Sequence, residues 1–194
     1  MKSLFFKRLG AYLFDFIIVT FIVSIITMGF KSNSDVMNRM NDLITGVANG
    51  EVSLEDYSNQ IFELNYEYQK SMVPSSVVSI VISLGYFIVF GCLNKGQTLG
   101  KKIFKIKVVD RNGNNPSIWN MLGRSIWLYG ILTGIINIVC LYVLNVKLFN
   151  YTSTIINYIY YGFIIICFFM VMHRKDGKGI HDMIGRTYVK EKVK

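Results

Sequence analysis

Four long apolar runs, separated by polar segments, dominate the sequence. They cover about residues 9–30, 73–93, 119–144 and 151–172, with Pro74 at the start of the second. Each run is close to the roughly 20 residues that a helix needs to cross a bilayer. The first is longer than the apolar core of a signal peptide and contains a carboxylate, so we expect it to be retained as a span. The pattern predicts an all-α membrane protein, a bundle of four transmembrane helices.

The polar segment at about residues 31–72 carries a helical pattern of its own. Two stretches have apolar residues three and four positions apart, the spacing of one helix face. Asn49-Gly50 ends the first stretch, and Ser53 with Asp56 three residues later is typical of a helix N-cap. The stretches comprise Val36, Met40, Leu43, Ile44 and Val47, and then Tyr57, Ile61, Leu64 and Tyr68. We predict a helical hairpin between the first two spans, either a lid over the bundle or a binding domain.

Two short segments have the alternation of a half-buried strand. From Lys102 to Asp110 apolar and basic residues alternate, and Asn112-Gly113 then turns the chain. Residues 186–193 show a similar pattern, and each segment is the simplest partner for the other. We predict a small two-stranded β element beside the bundle. No internal repeat or low-complexity linker divides the chain, so all 194 residues are interpreted as a single domain.

Charge is divided unevenly between these segments. Residues 31–72 hold seven acids and three bases, whereas the rest of the chain holds 18 bases and five acids. Most of these bases flank apolar runs, including six in the loop at about residues 94–118. This positive-inside pattern predicts cytoplasmic N- and C-termini, a cytoplasmic loop at 94–118 and a hairpin outside the cell.

The composition favours an integral protein of the bacterial cell membrane. The chain is 52% hydrophobic, with 14 Phe and 12 Tyr, far more apolar than a soluble domain of this size requires. The net charge of +9 lies beside spans and excludes nucleic acid as a partner. Three cysteines lack CxxC spacing and are expected to be inert packing thiols. The expected partners are the bilayer, anionic lipid at the cytoplasmic face, and a second copy or another membrane protein.

Arg8 and Asp15, at the start of the first span, are the leading candidate site residues. An ionisable residue inside a span is a functional-site hypothesis by default. These two share a helix face but lie about 10.5 Å apart along the axis, with side chains that lean the same way. Each should therefore have another partner. For Asp15 the first candidate partner is Arg124, followed by Lys101 or Lys102. For Arg8 the candidate partner is Asp182. Arg124 could alternatively be an interface anchor.

Two polar clusters follow the second and fourth spans. The first contains Gln97, Thr98 and Lys101 between glycines, but it lacks the spacing of a phosphate loop, which excludes nucleotide binding. The second contains His181-Asp182, which could either shuttle protons or form a structural hydrogen bond. No second histidine is placed to complete a metal site, and no nucleophile is paired with a base. We therefore expect no metal, no cofactor and no enzyme activity.

Taken together, these motifs resemble the RDD family of bacterial membrane proteins. The matching fragments are Arg8-x-x-Ala11-x-x-x-Asp15, Gln97-Thr98-Leu99-Gly100-Lys101, Val108-Val109-Asp110-x-x-Gly113, Arg124 and His181-Asp182-x-x-x-x-Thr187. The family is named for one arginine and two aspartates, which by motif fall on Arg8, Asp15 and Asp182. The resemblance covers the four spans but not the acidic hairpin. It implies little about function: many members are unassigned, and some are described as cation/proton antiporters.

The sequence supports two hypotheses about function, a membrane scaffold or regulator and a transporter. In the first, the charges form a network that fixes the helices of a membrane scaffold or regulator. In the second, Asp15 exchanges a proton for a cation in antiporter-like transport. Against transport, only one carboxylate lies at depth, and no broken helix is expected. The network under either hypothesis comprises Arg8, Asp15, Gln97, Thr98, Lys101, Arg124, His181 and Asp182.

Overall fold

A computed structural model describes residues 2–30 and 34–192, and these residues form helices with one small sheet. Residues 31–33 of the predicted hairpin and residue 193 of the predicted second strand lie outside the described residues. A π-helical segment covers Gly85–Phe90. The other elements are α1 (Lys2–Thr27), α2 (Ser34–Ala48), α3 (Leu54–Leu84), α4 (Gly91–Leu93), α5 (Leu99–Ile103), β1 (Ile106–Asp110), α6 (Ile118–Leu128), α7 (Ile131–Val143), α8 (Val146–His173), α9 (Ile180–Ile184) and β2 (Thr187–Glu191).

Several helices are able to span a membrane. By length and composition, the segments Leu4–Thr27, Leu54–Leu93 and Val146–His173 each qualify, and α6 with α7 qualifies only as a pair bent by 64°. The prediction of an unbroken helix over 119–144 is therefore wrong. Gly130 causes the break: its φ of 67° is left-handed, and it begins α7 directly after α6 has ended.

The hairpin is present, but its second helix is not separate from the second span. The two are one continuous helix, α3, and Pro74 lies inside it instead of opening a new one. A proline within a helix costs about 3 kcal/mol because one backbone hydrogen bond is lost. Tertiary contacts on the Leu54 side hold α3 through this point. Asn65 donates to Asn150 of α8 at 2.6 Å, and the Tyr66 hydroxyl donates to the Leu141 carbonyl of α7 at 2.9 Å.

The apolar faces of the hairpin meet as the spacing predicts. Val36 and Leu43 of α2 and Leu64 of α3 form a buried cluster, and Ser53 caps α3 by accepting a hydrogen bond from the amide of Asp56. Ile44 is the exception, because it is 52% exposed. The buried face of α2 includes Gly46 instead. A Cβ at Gly46 would lie 2.8 Å from the side chain of Val52 in the following loop.

The two-stranded sheet is also present, with a later start than predicted. Residues 102–105 belong to α5 and the turn after it, and Lys105 adopts a left-handed φ of 55°. Strand β1 then pairs antiparallel with β2, so that Val108 lies opposite Val189. Both valines are buried, which makes the ribbon part of a core. We call α5, β1, α9 and β2 together the polar layer; it packs against α1 and α6.

Candidate functional site

Two fully buried carboxylates lie where the polar layer meets the long helices. Asp15 of α1 and Asp182 of α9 are both 0% exposed. Burying an ionised carboxylate is costly unless donors and opposite charges surround it. The site is therefore defined by what surrounds each of these two groups.

Donors from two other segments surround the Asp15 carboxylate. Its Oδ1 accepts hydrogen bonds from the Tyr86 hydroxyl at 2.6 Å and from the Gly100 amide at 2.8 Å. Its Oδ2 accepts from the Thr98 hydroxyl, and the Lys101 ammonium lies 3.8 Å away while donating to Thr98. Asp15 thus fastens α5 and the π-helical segment to α1.

Close backbone packing makes this arrangement possible. A Cβ added at Gly100 would lie 2.4 Å from the Ala11 carbonyl oxygen and 2.9 Å from the Asp15 carboxylate carbon. Only a glycine lets the backbone of α5 approach α1 so closely. The Leu99 amide of α5 also donates to the Tyr86 hydroxyl at 3.2 Å. The Tyr86 phenol therefore contacts both α5 and, through Asp15, α1.

The Asp182 carboxylate is shared by two arginines. Arg8 donates to Oδ2 at 2.5 Å, and Arg124 of α6 donates to Oδ1. The Gly179 amide, at the start of α9, donates to Oδ2 at 3.2 Å, and Arg8 also donates to the Gly177 carbonyl. Asp182 therefore ties α9 to both α1 and α6.

A second close contact fixes α9 against α6. The Asn120 amide donates to the Gly185 carbonyl at 2.9 Å. A Cβ at Gly185 would lie 2.7 Å from the Arg124 Cβ. The absence of a side chain at Gly185 thus permits the approach that brings Arg124 to Asp182.

Charge within the site is unbalanced toward positive. Arg8, Arg124 and Lys101 carry three formal positive charges against the two carboxylates. Burial works to raise the pKa of Asp182, but Arg124 and Arg8 hold that pKa well below its usual range. Burial lowers the pKa of Lys101 to about 8, although Asp15 opposes this shift. Asp182 is therefore stabilised as an anion, whereas the Lys101 ammonium is only partly compensated.

The structure brings together most, but not all, of the residues that the sequence indicates. The predicted pairing of Arg8 with Asp182 is found, and Arg8 does not pair with Asp15. The prediction that Arg124 is the first partner of Asp15 is wrong, because Arg124 is bound to Asp182. Its alternative as an interface anchor is also wrong, since the residue is only 4% exposed.

One candidate partner of Asp15, Lys102, and one residue of the predicted network, Gln97, lie outside the site. Lys102 points away from the site and donates to Asn94 at 2.8 Å, so it is not a partner of Asp15. Gln97 donates to the Ile106 carbonyl at 2.8 Å and accepts from Lys192 at 3.4 Å. Gln97 therefore joins the loop before α5 to the sheet and does not contact either carboxylate.

His181 is buried as a neutral ring. Burial lowers its pKa to about 3; Asp182 opposes this shift, whereas the nearby Arg124 and Arg8 add to it. Its Nε2 lies 3.5 Å from both Arg8 Nη2 and Asp182 Oδ2. A ring with this pKa does not exchange protons near neutral pH, which favours the structural interpretation of the His181-Asp182 pair.

This burial makes the stability of the fold depend on pH. The ring binds a proton below about pH 6.5 in the unfolded chain but only below about pH 3 in the folded chain. The unfolded state thus binds more protons between these values, so stability falls as pH decreases through this window. We expect a loss of about 2 kcal/mol between pH 7.5 and pH 5 from this group. Denaturant unfolding at both pH values measures it, and His181→Gln should remove most of the difference; an equal difference in both proteins would contradict the assignment.

Sequence reasoning missed Tyr86 and the structural role of Gly100. Tyr86 lies in an apolar run where an aromatic residue carries no distinguishing signal. Gly100 lies beside residues that the motif did single out, and its position between Thr98 and Lys101 was the available signal. A glycine flanked by two site residues indicates a close backbone approach.

Comparison with known proteins places the chain in a family. The model of the RDD family matches residues 3–186, nearly the whole chain. The chain belongs to the RDD family. Of the three residues that the motif resemblance assigned to the family's name, Arg8 and Asp182 are in direct contact, and Asp15 is fully buried in the neighbouring cluster. The RDD match and the apolar helices together identify a membrane protein.

Among curated proteins, the chain is similar to "Uncharacterized protein YxaI" of Bacillus subtilis (strain 168). The two are 31% identical over 119 residues, which cover 61% of this chain and 59% of that protein. The matched region thus spans about three-fifths of the length of the relative. No solved structure matches the chain.

Proposed function

We propose that this RDD protein is a non-transporting membrane scaffold or regulator in which the buried charges clamp the polar layer onto the spanning helices. The observation that supports the proposal is that Asp15 and Asp182 are 0% exposed and that protein donors contact all four carboxylate oxygens. A carboxylate that exchanges ions must be reachable by water in at least one state. Here, each would first have to lose several protein contacts.

The energetics favour a fixed network. Removing one partner from a buried ion pair typically costs 3–5 kcal/mol, because the remaining charge is left uncompensated. Asp182 holds two arginines, so its release would leave both Arg8 and Arg124 in that state. A rigid layer joined to α1 and α6 is instead suited to present a defined surface to a partner at the membrane.

The proposal includes an orientation. The bases that flank the apolar runs support a cytoplasmic polar layer with both termini inside, and the acidic α2–α3 hairpin outside the cell. In this arrangement the protein crosses the bacterial cell membrane four times, with α6 and α7 forming one bent span. The partner of the scaffold would be a second copy or another membrane protein.

Cation/proton transport by Asp15 is the alternative function, and reconstitution into liposomes distinguishes it from the scaffold. Purified protein in liposomes that contain a pH-sensitive dye is exposed to an imposed sodium or potassium gradient. A clamp predicts the same lumenal pH trace as protein-free liposomes, because Asp15 is closed to both compartments. A pH change in the wild-type protein that Asp15→Asn abolishes would contradict the scaffold and support antiport.

Two controls make a flat trace interpretable. An exchanger for the imposed cation, nigericin for potassium or monensin for sodium, added at the end must produce a pH change, which shows that the vesicles are sealed and the dye responds. Circular dichroism of the reconstituted wild type and Asp15→Asn must show the same helix content, which shows that both proteins are folded when the gradient is applied.

A further inference from the structure

A cavity of about 140 Å³ lies between α1, α6 and α8, directly beneath the polar layer. It opens at the protein surface, and apolar side chains of α1 and α8, such as Leu9, Ile164 and Phe168, form most of its wall. Phe168 is 41% exposed, so this wall continues onto the outer surface of the helices. The cavity is therefore apolar on the side of the spans.

The wall toward the polar layer is cationic. Arg8, Lys101 and Arg124 all line the cavity, whereas neither Asp15 nor Asp182 does. The two carboxylates lie behind the cations, and the formal charge of the cluster is +1. These three positive side chains repel a cation that enters the cavity. They attract an anion, because the two carboxylates do not fully compensate their charge.

Two of these three side chains, Arg124 and Lys101, retain unused donors. Among the described residues, Arg124 makes one hydrogen bond, through Nη1 to Asp182, which leaves Nε and Nη2 without a protein partner. Within the described part of the chain, Lys101 donates one hydrogen bond, to Thr98, although an ammonium group has three donors. Arginine forks and lysine ammonium groups are the side chains that recognise phosphate.

His181 supplies a further unpartnered polar atom. Its side chain lines the cavity, the residue is only 3% exposed, and its Nδ1 has no hydrogen-bond partner among the described residues. Buried polar atoms are rarely left without a partner unless a ligand or water supplies one. Because the His181 side chain lines the cavity, its unpartnered Nδ1 favours a polar ligand there independently of the cations.

We propose that this cavity binds a phosphate group, and that the group belongs to an anionic lipid of the leaflet next to the polar layer. Basic pockets between membrane helices are known to hold lipid head groups. The volume is close to that of an engineered cavity which holds benzene, so it admits a head-group phosphate but not a whole lipid. The acyl chains would leave along the apolar wall of α1 and α8.

Native mass spectrometry of the full chain in detergent tests the site. Dioleoyl phosphatidylglycerol, dioleoyl phosphatidylcholine and inorganic phosphate are titrated separately. We expect a one-to-one complex with phosphatidylglycerol that forms at least about fivefold more tightly than the complex with phosphatidylcholine. Inorganic phosphate at millimolar concentration should fail to displace the lipid, because it lacks the contacts of the chains. Displacement by phosphate alone would overturn the assignment to a lipid.

Three variants distinguish the cavity from general charge attraction. Lys101→Met removes one cavity cation and should weaken phosphatidylglycerol binding about fivefold. Ile164→Trp fills the apolar wall without changing any charge and should abolish the one-to-one complex. Lys102→Met removes an equal charge from the exposed side of the same helix and should leave the affinity unchanged. Equal binding of both lipids, or wild-type binding by both Lys101→Met and Ile164→Trp, would overturn the proposal.

Discussion

The variant Asp182→Asn is expected to lose about 3–5 kcal/mol of the free energy of unfolding. The substitution preserves the size of the side chain but removes the charge that Arg8 and Arg124 share. Both guanidinium groups stay buried, at 10% and 5% side-chain exposure, and they then repel each other without an intervening anion. Equilibrium unfolding of purified protein in detergent, followed by circular dichroism, measures the loss.

Asp176→Asn is the matched control for this prediction. Asp176 is also paired with an arginine, Arg174, at 2.9 Å, but both side chains are more than 40% exposed. Solvent screens such pairs, so the control should unfold at nearly the denaturant concentration of the wild type. If both variants lose the same stability, burial of the Asp182 network is not the cause of the effect.

The second large effect is expected from the smallest substitution, Gly100→Ala. The added methyl group would lie 2.4 Å from the Ala11 carbonyl oxygen and 2.9 Å from the Asp15 carboxylate carbon. Relief requires α5 to move away from α1, which breaks the hydrogen bond from the Gly100 amide to Asp15. We expect a loss of at least about 2–3 kcal/mol, at the upper end of overpacking substitutions, since backbone must move. The measurement is the same unfolding experiment.

Gly162→Ala provides the corresponding control within α8. A Cβ at this position meets nothing within 4 Å, so alanine should be neutral or should stabilise the helix by up to about 1 kcal/mol. A Gly100→Ala protein as stable as the wild type would show that the close approach of α5 to α1 is not required. The Asp15 cluster would then not depend on that contact.

The sequence pattern could predict the helices but not all of their ends. Periodicity identified the hairpin, and the cap at Ser53 marked the start of α3. Pro74 was misleading because proline usually marks a helix boundary, whereas here tertiary contacts of Asn65 and Tyr66 hold the helix across it. Residues 102–105 alternate like a strand, yet they end the short helix α5. Alternation over so few residues does not distinguish a strand from the end of a short helix when packing against a neighbouring helix, here α1, determines the local structure.

The candidate site was predictable where local geometry was sufficient. Seven residues of helix place Arg8 and Asp15 too far apart to pair, so helix geometry alone excludes that arrangement. The choice of Arg124 between the two aspartates was not predictable. It depends on how closely α9 approaches α6, and that distance is set by Gly185 and its contact with Asn120.

The central claim is that the buried charges hold the polar layer and the spanning helices together as one rigid unit. Hydrogen–deuterium exchange of the reconstituted protein tests it most directly, through peptides that cover α5 (Leu99–Ile103) and α9 (Ile180–Ile184). In the wild type, the amides of both short helices should be as protected as those of α1, although isolated five-residue helices are unstable in water. In Asp182→Asn, α9 should lose this protection. Rapid exchange of α5 and α9 in the wild type, with α1 still protected, would show that the layer moves independently and would contradict the clamp.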